Sequence, residues 1–132
     1  MNEIIKVSGI CRGPHKESEW FAMNNQREGI YKKYYSNGQL WKICNFINNK
    51  LEGEYKQYYK DGKLEVIKNY KNSKPEGKYK YYYRSGQLCE IFMFINGKIE
   101  GEYKSYYPNG HLKDICNYQN DKIIGEYTVN SR

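Results

Sequence analysis

No apolar run in this sequence approaches the roughly 20 residues that a membrane-crossing helix requires. The opening stretch, MNEIIKVSGICRG, has neither the basic flank nor the longer apolar segment of a secretory signal. These two absences give the expectation of a soluble protein that is not transmembrane. Its compartment would be the cytoplasm or, for a viral chain, the host cytoplasm or a particle.

Catalytic and metal-binding signals are also missing. The cysteines (Cys11, Cys44, Cys89, Cys116) form no C-x-x-C pair, and of the two histidines only His15 lies near one of them. Zinc-ligand spacing therefore fails, and no metal or other cofactor is expected. CRGPH (11–15) places a thiol near an imidazole with Glu17 and Glu19 nearby, but acids are common and no oxyanion arrangement accompanies the pair. With no glycine-rich phosphate cradle either, no catalytic residue is assigned and the chain reads as a non-enzyme. Arginine is scarce (Arg12, Arg27, Arg84, Arg132), which disfavours bidentate recognition of nucleic acid.

Ordinary core material is thin. Hydrophobic residues make up 39% of the chain, and 16 of the 22 aromatic residues are tyrosine. Any core must be built from rings whose hydroxyls stay near water or find partners. The formal charge of +7 favours an acidic partner over a basic one. At 132 residues the chain amounts to one domain on ordinary length grounds.

What the sequence does contain is a 24-residue repeat. GIYKKYYSNGQLWKICNF begins at Gly29, GEYKQYYKDGKLEVIKNY at Gly53, GKYKYYYRSGQLCEIFMF at Gly77 and GEYKSYYPNGHLKDICNY at Gly101. Four full copies (29–52, 53–76, 77–100, 101–124) follow one another without insertion, and a partial fifth occupies 125–132. Residues 1–28 read as an N-terminal cap that includes a degenerate half copy, because NNQREG (24–29) matches NNKLEG (48–53). Within the cap, EIIKV (3–7) reads as a short strand and Gly13-Pro14 as a turn, with Trp20 and Phe21 expected to plug the open end.

Asn-Gly, Asp-Gly and Ser-Gly between tyrosine-rich and aliphatic runs are hairpin signals. A second turn is expected at Asn48-Asn49, Asn72-Ser73, Asn96-Gly97 and Asn120-Asp121. Each copy is therefore two short strands. Two-residue loops would put Tyr31, Tyr55, Tyr79 and Tyr103 on one face with Tyr35, Tyr59, Tyr83 and Tyr107. The same face would carry Leu40, Leu64, Leu88 and Leu112 and the rings of Phe46, Tyr70, Phe94 and Tyr118. Lys32, Lys56, Lys80 and Lys104 would occupy the other face with a thinner Tyr–Ile stripe. Because the period is even, this segregation survives every copy. The expected fold is all-β: an open, elongated, single-layer sheet of stacked hairpins, with strands about 4.8 Å apart and a length of about 45 Å.

The pattern G-x-Y-K-x-Y-Y-x-N-G-x-L, followed by an aromatic and N-x-K-x-E-G, resembles the variant form of the MORN (membrane occupation and recognition nexus) repeat over Gly29 to Tyr127. The resemblance implies stacked hairpins that bind other molecules without catalysis. Variant-class proteins are similar to antitoxin-like bacterial proteins and to proteins of large DNA viruses. The functional expectation is a protein-interaction scaffold, with a protein partner or self-association through the Tyr–Leu face. The partner-binding candidates are thus Tyr31, Tyr35, Leu40, Tyr55, Tyr59, Leu64, Tyr79, Tyr83, Leu88, Tyr103, Tyr107 and Leu112. Peripheral binding of anionic lipid through the anion-binding candidates Lys32, Lys56, Lys80 and Lys104 is the alternative. Within the interaction reading, toxin neutralisation and a structural part in a viral particle stay open.

Overall fold

The computed structural model describes residues 4–10, 16–23 and 26–130, with side chains described for 26–130. The turn at Gly13-Pro14 and the side chains of Trp20 and Phe21 lie outside the described residues. Among the described residues thirteen strands form one antiparallel sheet: β1 (Ile4–Ile10), β2 (Lys16–Met23), β3 (Gln26–Tyr34), β4 (Leu40–Ile47), β5 (Lys50–Leu51), β6 (Gly53–Tyr58), β7 (Leu64–Lys71), β8 (Lys74–Pro75), β9 (Gly77–Tyr82), β10 (Leu88–Ile95), β11 (Lys98–Tyr106), β12 (Leu112–Gln119) and β13 (Lys122–Val129). The order is that of the sequence, with the two-residue β5 and β8 set beside β4 and β7. No helix occurs among the described residues. β1 takes in residues 4–7 of the strand expected at 3–7, and β1 and β2 extend the repeat ladder by one more hairpin.

The two turns of each copy differ. At the second, both central residues have positive φ, as at Asn48 (49°) and Asn49 (67°), so this is the expected two-residue hairpin turn. At the first, only the glycine does. Gly38 N–H bonds Tyr35 C=O, and Tyr35 N–H bonds Gln39 C=O, closing a three-residue loop of Ser36, Asn37 and Gly38. Asn37 itself stays at ordinary φ and accepts from Gln39 N–H at 2.9 Å.

That extra loop residue corrects one expectation. Tyr34 now pairs with Leu40, whereas Lys33 pairs with Lys42, so Trp41 is a bulge. The same shift recurs in every copy. Below the bulge the pairing is as expected, with Tyr31 opposite Cys44 and Gly29 opposite Phe46. Above it each leucine is turned over: Leu40, Leu64, Leu88 and Leu112 face Tyr34, Tyr58, Tyr82 and Tyr106 on the lysine side. The four leucines therefore do not share a face with the first and third tyrosine columns.

Between copies the pairing also shifts, but by an even number of residues. Ile43 lies opposite Lys56 and Phe46 opposite Leu51, so the face assignment carries through. Gly53, at φ 79°, makes this wide bulge possible. The buried residues, Cys44, Phe46, Val66, Phe92, Ser105 and Cys116, all lie on the tyrosine-ring face. The core of this single-layer sheet is the packing of that face.

Candidate partner-binding faces

The ring face is held together by its own side chains. Tyr31 meets Phe46 edge-on at 5.9 Å, Tyr55 meets Tyr70 at 5.9 Å and Tyr103 meets Tyr118 at 5.8 Å. In the third copy Tyr79, Phe92 and Phe94 form a closed cluster, with centroid distances of 4.5 to 6.2 Å. Such pairs contribute about 0.5–1.5 kcal/mol each beyond the area they bury. Burial pushes the hydroxyls of Tyr55 and Tyr79 up to about 12, and the Cys44 thiol up to about 11. Tyr103 is raised by burial and by donating to the Glu90 carboxylate at 2.6 Å.

The third tyrosine column has a structural task. Tyr35 OH donates to Tyr58 C=O at 2.7 Å, Tyr59 OH to Tyr82 C=O, Tyr83 OH to Tyr106 C=O at 2.8 Å and Tyr107 OH to Asn130 C=O at 2.7 Å. Each ring reaches one copy forward and ties its first turn to the next hairpin. A glutamate column does the same at the other end. Glu52 accepts from Asn72 N–H at 2.7 Å, Glu76 from Asn96 N–H and Glu100 from Asn120 N–H at 2.8 Å, and Glu28 from Asn48 N–H. Sequence reasoning passed over this column, although its recurrence just before each glycine was a visible signal.

The opposite face is left more open. It carries the second tyrosine column, the leucines, Ile43, Ile67, Ile91 and Ile115, and two lysine rows. Lys32, Lys56, Lys80 and Lys104 lie over the isoleucines, while Lys50, Lys74, Lys98 and Lys122 stand exposed beside the second turns. Glu54 pairs with Lys56 and Glu102 with Lys104, both at 3.0 Å. The half-exposed apolar side chains within the array belong here too, with Ile30 at 48%, Ile47 and Ile95 at 49%, Ile124 at 45% and Met93 at 37%. Among the described residues, large apolar exposure on the ring face is confined to β13, at Ile123, Tyr127 and Val129.

Three grooves open on the lysine face, one of them, of about 450 Å³, beside β13 with Glu100, Asn117, Gln119 and Ile124 in its wall. Another, of about 610 Å³, lies between β10 and β11 and is walled by Leu88, Ile91, Met93, Ile95, Lys104 and Tyr106. The third, of about 360 Å³, lies between β4 and β6, with Ile30, Ile43, Lys56 and Tyr58 in its wall. The structure thus brings the predicted leucines and lysines together and separates both from the ring columns. Cys44, Cys89 and Cys116 are free thiols; Cys11 lies outside the described residues. No group of three His, Cys, Asp or Glu that could hold a metal occurs among the described residues.

The MORN repeat variant matches residues 27–48, 51–72, 75–96 and 99–120, together two thirds of the chain. The chain belongs to the MORN repeat variant family. Each matched unit starts two residues before a copy's glycine, so one MORN unit is one hairpin with its leading Leu51-type residue. MORN repeats are protein- or membrane-binding modules and not enzymes, and these faces are accordingly read as binding surfaces. No curated protein was found to match the chain.

Proposed function

We propose that this MORN protein is a non-catalytic interaction module that binds a protein partner through its lysine face. One observation carries the reading: the half-exposed apolar residues of the array and most uncommitted lysines share this face, while the ring face is occupied by its own contacts. Leu40, Leu64, Leu88 and Leu112 then serve binding beside Lys32, Lys56, Lys80 and Lys104. The columns of Tyr31 and Tyr35 maintain the scaffold that presents them.

Affinity capture from the organism that carries the protein tests this, comparing the native chain with an Ile47→Glu/Ile95→Glu variant. Loss of a near-stoichiometric protein from the variant is expected. Equal recovery on both would refute lysine-face binding.

The lysine rows favour a second reading, peripheral attachment to anionic membrane. Flotation with phosphatidylserine vesicles separates the two, because attachment of this kind would persist without any protein and weaken as salt rises.

A further inference from the structure

Two of the lysine-face grooves, those of about 360 and 610 Å³, are the same place in two different copies. Ile30, Ile43, Lys56 and Tyr58 of the first correspond, 48 residues on, to Lys78, Ile91, Lys104 and Tyr106 of the second. They therefore lie two copies apart, four strand spacings, or roughly 19 Å. Exposed apolar side chains stand at both, Ile30 and Ile47 in the first copy and Met93 and Ile95 in the third, and Ile124, at 45%, stands at the groove beside β13. The Glu54–Lys56 and Glu102–Lys104 ion pairs stand in the walls of the two equivalent grooves.

The strip between the sockets is cationic. Lys71, Lys74, Lys78 and Lys80 stand there, and among the described residues no carboxylate pairs with them. The nearby Glu76 is engaged by Asn96 N–H. A segment lying along the ribbon crosses the strands, whose backbone groups are already bonded to one another, so the face offers it no ladder. An extended peptide in that direction would leave its own amides without partners, whereas a helix satisfies them internally.

Resting on the lysine-face reading above, we propose that the twin sockets receive one acidic amphipathic helix of a partner protein, running along the ribbon. At 1.5 Å per residue, ~19 Å corresponds to about 13 residues. The helix then places one apolar cluster in each socket about 13 residues apart, with Asp or Glu between them over the lysine strip. A flat anionic membrane would not call for two apolar sockets with a cationic strip between them.

The test is panning of a phage-displayed library of random 18-residue peptides on the intact chain, followed by titration of the enriched peptides. Enriched sequences are expected to be acidic and helical when bound, with two apolar clusters about 13 residues apart. Ile30→Glu, Ile95→Glu and a Lys78→Glu/Lys80→Glu pair should each weaken binding about tenfold or more. Ile123→Glu on the ring face should leave it unchanged. All of these side chains are at the surface, so circular dichroism can verify that each variant keeps the native sheet.

Enrichment of basic or single-cluster peptides, an absence of enrichment, or binding of phosphatidylserine vesicles in place of peptides would overturn the proposal. If a captured protein still depends on Ile47 and Ile95 while no acidic helix is enriched, the helix falls and lysine-face binding stands.

Discussion

Replacing Tyr83 by Phe isolates the contribution of the inter-copy tyrosine staple. The ring stays in place, and what is lost is the 2.8 Å bond from its hydroxyl to Tyr106 C=O. A neutral hydrogen bond contributes about 0.5–1.5 kcal/mol net, and the part-buried carbonyl left behind adds a further penalty, so about 1–2 kcal/mol is expected. Tyr35→Phe removes the corresponding bond to Tyr58 C=O two copies away. The two sites share no partner, so the double variant should lose about 2–4 kcal/mol. Tyr82→Phe is the control: its own hydroxyl has no hydrogen bond among the described residues, and its backbone carbonyl still accepts from Tyr59. Urea unfolding followed by circular dichroism measures all four chains. The reasoning fails if Tyr83→Phe costs less than about 0.3 kcal/mol, or no more than Tyr82→Phe.

Alkali should unfold the array in a defined window. An unfolded tyrosine ionises near 10, while Tyr55 and Tyr79 keep their protons to about 12. The folded chain thus binds more protons between these values, and stability present in full below pH 10 falls as pH rises toward 12. Both rings are only partly buried, so after solvent screening each contributes about 1 kcal/mol to this fall, measurable as lower urea midpoints. Ellman's reagent on the native protein should label Cys89 before Cys44 and Cys116, which are buried and have raised thiol pKa values. Fast labelling of Cys116, which is 1% exposed, would contradict the burial of the ring face. Glu76→Ala should cost about 0.5–1.5 kcal/mol by freeing Asn96 N–H, and Glu76→Gln should restore most of it; equal losses would show that the acceptor is not what matters.

Much of the fold was legible because 24 is even and the turn residues are explicit. Asn48-Asn49 and its equivalents specify two-residue turns, and the pairing of Tyr31 with Cys44 follows from strand parity. What escaped was the first turn. Asn37-Gly38 resembles a two-residue turn, but Asn37 uses its side chain to accept from Gln39 N–H and keeps an ordinary φ. The loop gains a residue, a bulge at Trp41 absorbs it, and only the leucines between loop and bulge change face. That local shift decides the functional reading, because it moves four aliphatic side chains from the rings to the lysines. The third tyrosine column was placed on its face correctly, but its bonds to the next copy depend on distances between hairpins that a linear pattern does not carry.

The assignment of binding to the lysine face can be tested at two adjacent residues. Phe94 and Ile95 point to opposite sides of β10, Phe94 into the ring cluster and Ile95 into the larger lysine-face groove. A photoreactive benzoylphenylalanine at each position, irradiated in the presence of the partner, should give a covalent protein adduct from residue 95 and none from residue 94. An adduct from residue 94 alone would place the partner on the ring face and contradict this account.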